Sequence, residues 1–240
     1  MSLTWVAGAG ILALASFVFG LVGFGLGLVA LSLLTFMMPP ARAVPLISLY
    51  SAILSLVMAI QLRRDIVFSH LVALLGGAFV GTPIGVWVLA TLPASWLRRL
   101  IGLILMGVVI IEWRGLYPRK VAGRHWRVSA GVLAGLLGGA VGTPGPPIIL
   151  YAAAQGWSPR AMKATLLGFF LANQMLTLVG QWWAGLLTAE VAWLALVFAP
   201  PAAVGVALGM HLFNYVDHAR VRHLVFALLF VLGLTLCLRG

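Results

Sequence analysis

The segment GLLGGAVGTPGPP, residues 135–147, decides how the rest of the chain is read. Gly135, Gly138, Gly139 and Gly142 are followed directly by Thr143, Pro144, Gly145, Pro146 and Pro147, all inside a charge-free run covering 128–159. Glycine frees the backbone, while proline removes donors and clashes with the preceding turn, so a helix breaks here. Within a bilayer, broken backbone survives only where protein buries it or where it lines a polar cavity. Composition alone therefore makes this segment a candidate binding site.

The bilayer follows from the whole chain. Of 240 residues, 63% are apolar and 8% charged, and the mean hydropathy is +1.14. No soluble domain can build a polar surface from that composition. Charge-free runs at 1–41, 43–62, 66–97, 128–159, 164–189 and 191–216 each reach the roughly 20 residues needed to span a membrane. The alternation of a membrane β-barrel is absent. The expected fold is an all-α polytopic membrane protein. The opening residues carry no basic stretch before the first apolar run, so a cleaved signal peptide is not expected.

A net charge of +11 would suggest nucleic acid in a soluble protein. Here the basic residues lie in short connections between apolar runs, as the positive-inside bias places them. The expected partners are the lipid bilayer and a small anionic substrate, not nucleic acid, with a homo-oligomer left open. No GK[ST] loop and no metal-ligand spacing occurs, so no cofactor or metal is expected. The single cysteine, Cys237, has no internal partner. The acids Asp65, Glu112, Glu190 and Asp217 fall at or near helix ends, and the serines lack a base partner, which argues against an enzyme.

The opening pattern recurs. FGLVGFG (19–25) aligns with AGLLGGA (134–140), matching Gly20 with Gly135 and Gly23 with Gly138. PARA (40–43) aligns with SPRA (158–161), Gly85–Val86 with Gly205–Val206, and WLRRLI (96–101) with RVRHLV (220–225). This divides the chain into a first half (1–113), a basic connection (114–127) and a second half (128–240). Each half is a broken glycine-rich segment followed by three transmembrane helices, expected at about 43–62, 67–91 and 95–113, then 160–183, 188–212 and 217–238. If each glycine-rich segment crossed once, the two faces would carry 7 and 8 basic residues. If each enters and returns, one face carries only Arg42, Arg98, Arg99 and Arg239 and the other carries the remaining 11. The second arrangement obeys the positive-inside rule and makes the halves inverted repeats, with 114–127 cytoplasmic.

A helix broken at membrane depth offers backbone donors and a positive helix end, which attract anions. The candidate substrate-binding residues are Gly23, Gly25 and Gly27 in the first break and Gly138, Gly139, Gly142, Thr143 and Gly145 in the second. Close helix packing is the competing explanation for the glycines. Asn173 and Gln174 join the set as polar side chains inside an apolar run, as anion donors or as interhelical hydrogen bonders. Arg42 and Arg160 join it from matched positions just after the breaks, as anion clamps or as interfacial side chains.

GLVGFGLGL (20–28), GLLGGAVGTPGPPIILY (135–151) and the Arg-Ala pairs at 42–43 and 160–161 together resemble the TauE/SafE, sulfite exporter-like, family of membrane permeases. The likeness covers nearly the whole chain, although the first motif lacks the proline often found after its glycines. It implies a bacterial inner-membrane transporter of small sulfur-containing anions such as sulfite, sulfoacetate or related organosulfonates. An anion channel and a non-transport membrane subunit are the alternatives.

Overall fold

The computed structural model describes residues 2–22, 25–115, 123–212, 215 and 218–239, and every regular element among them is helical. The first half supplies α1 (Ser2–Val22), α2 (Leu26–Leu34), α3 (Pro40–Leu62), a 3-10 turn at Arg63–Asp65, α4 (Phe68–Thr91) and α5 (Ala94–Trp113). The second half supplies α6 (Arg124–Val141), α7 (Gly145–Ala153), α8 (Pro159–Trp183), α9 (Ala189–Val197), α10 (Ala199–Leu212) and α11 (His218–Arg239). Both expected breaks are present, one between α1 and α2 and one between α6 and α7. Among the described residues, four stretches are long and apolar enough to cross a membrane, Pro40–Ile60, Phe68–Thr91, Ala94–Ile111 and Pro159–Trp183, and the bent pair Ala189–Val197 and Ala199–Leu212 makes a fifth if it is one span.

One expectation is corrected. The run 188–212 is not a single helix but two, α9 and α10, bent by 49°. Pro200 and Pro201 lack the N–H groups that would bond the carbonyls of Leu196 and Val197, so two consecutive rungs are lost. Single prolines are absorbed elsewhere: Pro45 and Pro83 lie inside continuous helices.

The chain forms two compact units. The first comprises Met1–Ile47, Leu92–Arg114 and Thr188–Gly240; the second comprises Ser48–Thr91 and Gly115–Leu187. Each unit therefore draws on both sequence halves. In the first, α1 lies along α10 and α5 along α11; in the second, α4 lies along α6 and α8 packs on both. Helix α4 of the first half is thus housed with the broken segment α6–α7 of the second, and α9–α10 of the second half with α1–α2 of the first.

Glycines explain both pairings. On α4, Gly77, Gly81 and Gly85 face the α6 backbone at Val128, Val132 and Leu136. On α6, Gly131, Gly135 and Gly139 face the α4 backbone at Leu74, Ala78 and Thr82. Spacing of four keeps each set on one stripe of its helix, and a Cβ at any of the six would run into main chain. In the first unit Gly20 meets Val206 of α10, while Gly205 and Gly209 meet Ala13 and Phe17 of α1. Gly85 and Gly205, aligned by the sequence repeat, thus perform one task in different units. Small residues allow the close backbone approach that holds helices together where no hydrophobic driving force separates protein from lipid. The outward positions are apolar, among them Phe79, Val80 and Trp87 on α4 and Val179, Trp182 and Trp183 on α8.

Candidate functional site at the α6–α7 break

The second break is closed by Gly142, whose left-handed backbone (φ 67°, ψ 16°) ends α6. Its N–H returns to the carbonyl of Gly138 at 3.0 Å, and that of Thr143 to Leu137 at 3.3 Å. A residue with a side chain is strained in this conformation, which is why glycine stands there. Helix α7 then starts at once, with Pro144 as its N-cap.

That start differs from the expected row of free backbone donors. The leading positions of α7 are Pro144, Gly145, Pro146 and Pro147, and only Gly145 carries an N–H. An ordinary helix end exposes four orphan N–H groups. Here three are removed covalently, so a half-buried helix start has one donor left to satisfy. The hydrogen-bonding capacity of the site must therefore come from side chains.

Thr143 in the break and Asn173 against it supply it, with Gln174 following Asn173 on α8. Thr143 is buried, and its hydroxyl has no hydrogen-bond partner. Asn173 on α8 is fully buried, and its Oδ1 accepts from Thr82 Oγ1 on α4 at 3.0 Å. That bond commits the amide oxygen and leaves Nδ2 without a partner. Gln174, also fully buried, has neither amide atom paired. The place where a Cβ of Gly138 would stand is 2.5 Å from Asn173 Nδ2 and 3.2 Å from Pro144 Cβ. Gly138 therefore opens the space in which the Asn173 amide meets the break. None of these groups is charged; the local charge is the partial positive end of α7.

The remaining candidates divide. Gly139 faces α4 across the helix interface, not the break. Gly145 begins α7, and a Cβ placed there would make only ordinary contacts with Ile149 and Phe170. In the first unit Gly25 caps α2 with φ 98°, and Gly27 follows in its first turn; Gly23 lies outside the described residues. The hydroxyls on α2 are spent on its own backbone, Ser32 on Val29 and Thr35 on Leu31. Arg42 bonds Glu190 at 2.7 Å and Arg160 bonds Asp65 at 2.8 Å, all four side chains being solvent-accessible. Arg42, at the start of α3, pairs with an acid at the start of α9, and Arg160, at the start of α8, pairs with an acid just before α4.

Sequence reasoning missed Thr82, Thr177 and Ser48. Thr82 orients Asn173, and Ser48 Oγ accepts from Gln181 Nε2 at 3.2 Å. The signal was present: Asn173, Thr177 and Gln181 recur every four residues in the apolar second half of α8. His70 bonds the hydroxyl of Tyr151 on α7 at 2.6 Å and stands edge-on to Trp157.

The chain thus combines buried, uncharged polar side chains at a broken helix with several helices long and apolar enough to cross a membrane. No match is found among curated proteins or among solved structures. The family model described as Sulfite exporter TauE/SafE matches residues 8–236, nearly the full length. The chain belongs to the TauE/SafE sulfite exporter family of membrane transporters for sulfur-containing anions.

Proposed function

We propose that the protein is a secondary transporter of sulfite, organosulfonates or related sulfur oxyanions, binding its substrate at the α6–α7 break. The observation that carries this reading is the set of buried donors without partners: Thr143 Oγ1, Asn173 Nδ2 and Gln174 Nε2. A sulfur oxyanion offers several acceptor oxygens to such a set, and the α7 terminus adds favourable partial charge. Neutral donors hold an anion without the trap that a buried fixed cation would create. The duplicated element order supports alternating access between inverted halves. The uneven distribution of Arg and Lys supports a bacterial inner-membrane orientation with 114–127 in the cytoplasm.

Flux of labelled sulfite, sulfoacetate and other oxyanions into proteoliposomes, with and without a pH gradient, tests the assignment. Saturable uptake of at least one sulfur anion is expected, reduced at least tenfold by Asn173→Leu and abolished by Gly142→Leu in protein that still inserts. Absence of flux for every small anion would sink the reading. For topology, single cysteines within 116–126 are expected to label only from the cytoplasmic side and Ser2→Cys only from outside. Labelling of both from one side overturns the inverted arrangement.

A further inference from the structure

Hydroxyls in these helices have a routine way to satisfy themselves. Thr35, Thr91, Thr165 and Thr235 each donate to the carbonyl four residues earlier, at 2.8 Å. Thr177 on α8 does not, although it is fully buried, and its hydroxyl has no partner. One turn further, Gln181 is also fully buried; its Nε2 reaches Ser48 Oγ on α3 at 3.2 Å, but its Oε1 is unpaired. One turn in the other direction, Gln174 has both amide atoms unpaired. Residues 174, 177 and 181 lie on one face of α8, while Met175 and Val179 on the other side are exposed. This face is polar, buried and only partly paired over about two turns, and polar groups in hydrocarbon normally face a cavity.

Its extent suggests what the occupant is. From Asn173 to Gln181 is eight residues, roughly 12 Å along a helix, close to half of a hydrocarbon core of about 30 Å. Asn173 lies near the middle of Pro159–Trp183. Gln181 lies beside the exposed Trp182 and Trp183, residue types that favour the membrane–water boundary. The strip therefore leads from the depth of the break to the end of the helix.

We propose that the Gln174–Thr177–Gln181 face of α8, with Ser48 of α3 against it, is the aqueous route by which the oxyanion travels between the break and one membrane surface. The Gln181–Ser48 hydrogen bond is its narrow point, and the route rests on the assignment of the anion site above. Amide and hydroxyl groups exchange hydrogen bonds with water and with sulfonate oxygens alike, so the anion moves along the strip without meeting a charge that would hold it.

The test uses single cysteines in the full-length protein carrying Cys237→Ser, exposed in proteoliposomes to membrane-impermeant sulfonatoethyl methanethiosulfonate. Thr177→Cys and Gln181→Cys are expected to label, with sulfoacetate slowing the Thr177→Cys reaction several-fold. Val179→Cys, facing outward, and Leu167→Cys, in the apolar core, are expected to react at least tenfold more slowly. Either polar position suffices if the other variant fails size-exclusion chromatography. In the native-cysteine protein, Thr177→Val is expected to slow flux several-fold and Thr177→Ser to leave it near wild type. Silence at both positions in a protein that transports sulfite overturns the route and leaves the binding site standing. Labelling at both positions in a protein that moves no anion upholds the route as water-accessible and sinks the transport assignment instead.

Discussion

At the scale of the residue, the site depends on orientation as much as on identity. Asn173 has a donor and an acceptor, and Thr82 decides which one faces the break by occupying the acceptor. Thr82→Val keeps the shape but strands a buried amide oxygen, at a cost of about 1–3 kcal/mol. We expect a lower melting temperature and roughly tenfold slower sulfite flux, with Thr82→Ser restoring both. The prolines allow a converse experiment. Pro146→Ala adds one backbone N–H to a terminus that has been stripped of them. Without ligand this orphan donor should destabilise the protein by a similar amount. With an oxyanion present it should tighten binding, so that added sulfoacetate raises the melting temperature more in the variant than in wild type. An equal ligand-induced rise in both proteins would show that the α7 terminus does not face the anion.

At the scale of the element, two neighbouring glycines separate helix propensity from packing. Gly76 has open space where a Cβ would stand, while Gly77 meets the carbonyl of Val128. Ala gains about 1 kcal/mol over Gly inside a helix. Gly76→Ala should therefore be neutral or slightly stabilising, and Gly77→Ala destabilising because two backbones must part. Thermal unfolding in detergent checks both, and equal shifts would refute the α4–α6 contact. Much of this level was legible in the sequence. The breaks, and most helix limits to within a few residues, follow from glycine, proline and charge. The partners were not legible, because helices that are apolar all round give no amphipathic face to show which neighbour they meet. The glycine spacing at 77, 81 and 85 against 131, 135 and 139 carried that information. The bend at Phe198 was hidden in the same way, since hydropathy is blind to two adjacent missing donors. At the site, Asn173 and Gln174 stood out as amides in an apolar run. Thr82 and Thr177 did not, because a threonine in a membrane helix usually bonds its own backbone.

At the scale of the whole molecule, the sequence repeat and the compact units cut the chain differently. Residues 1–113 contain α1 and α4 but neither α10 nor α6, so each of these helices lacks its glycine-matched partner. We expect 1–113 and 128–240, expressed separately, to insert and yet remain protease-sensitive. Co-expressed as 1–118 and 119–240, they should associate and recover transport. A protease-resistant, monodisperse 1–113 fragment would contradict the pairing.

The same exchange sets an order in time. The second unit has all its helices once Trp183 has been synthesised. In the first unit Gly20 must wait for Val206, which lies near the far end of the chain. At the usual ~5–20 residues per second, α1 spends roughly ten seconds or more in the bilayer with its glycine face uncovered. A nascent chain stalled near residue 190 should therefore hold a closed second unit and an open first one. The break at Gly142 would then be enclosed in its own unit while α1 still waits for α10.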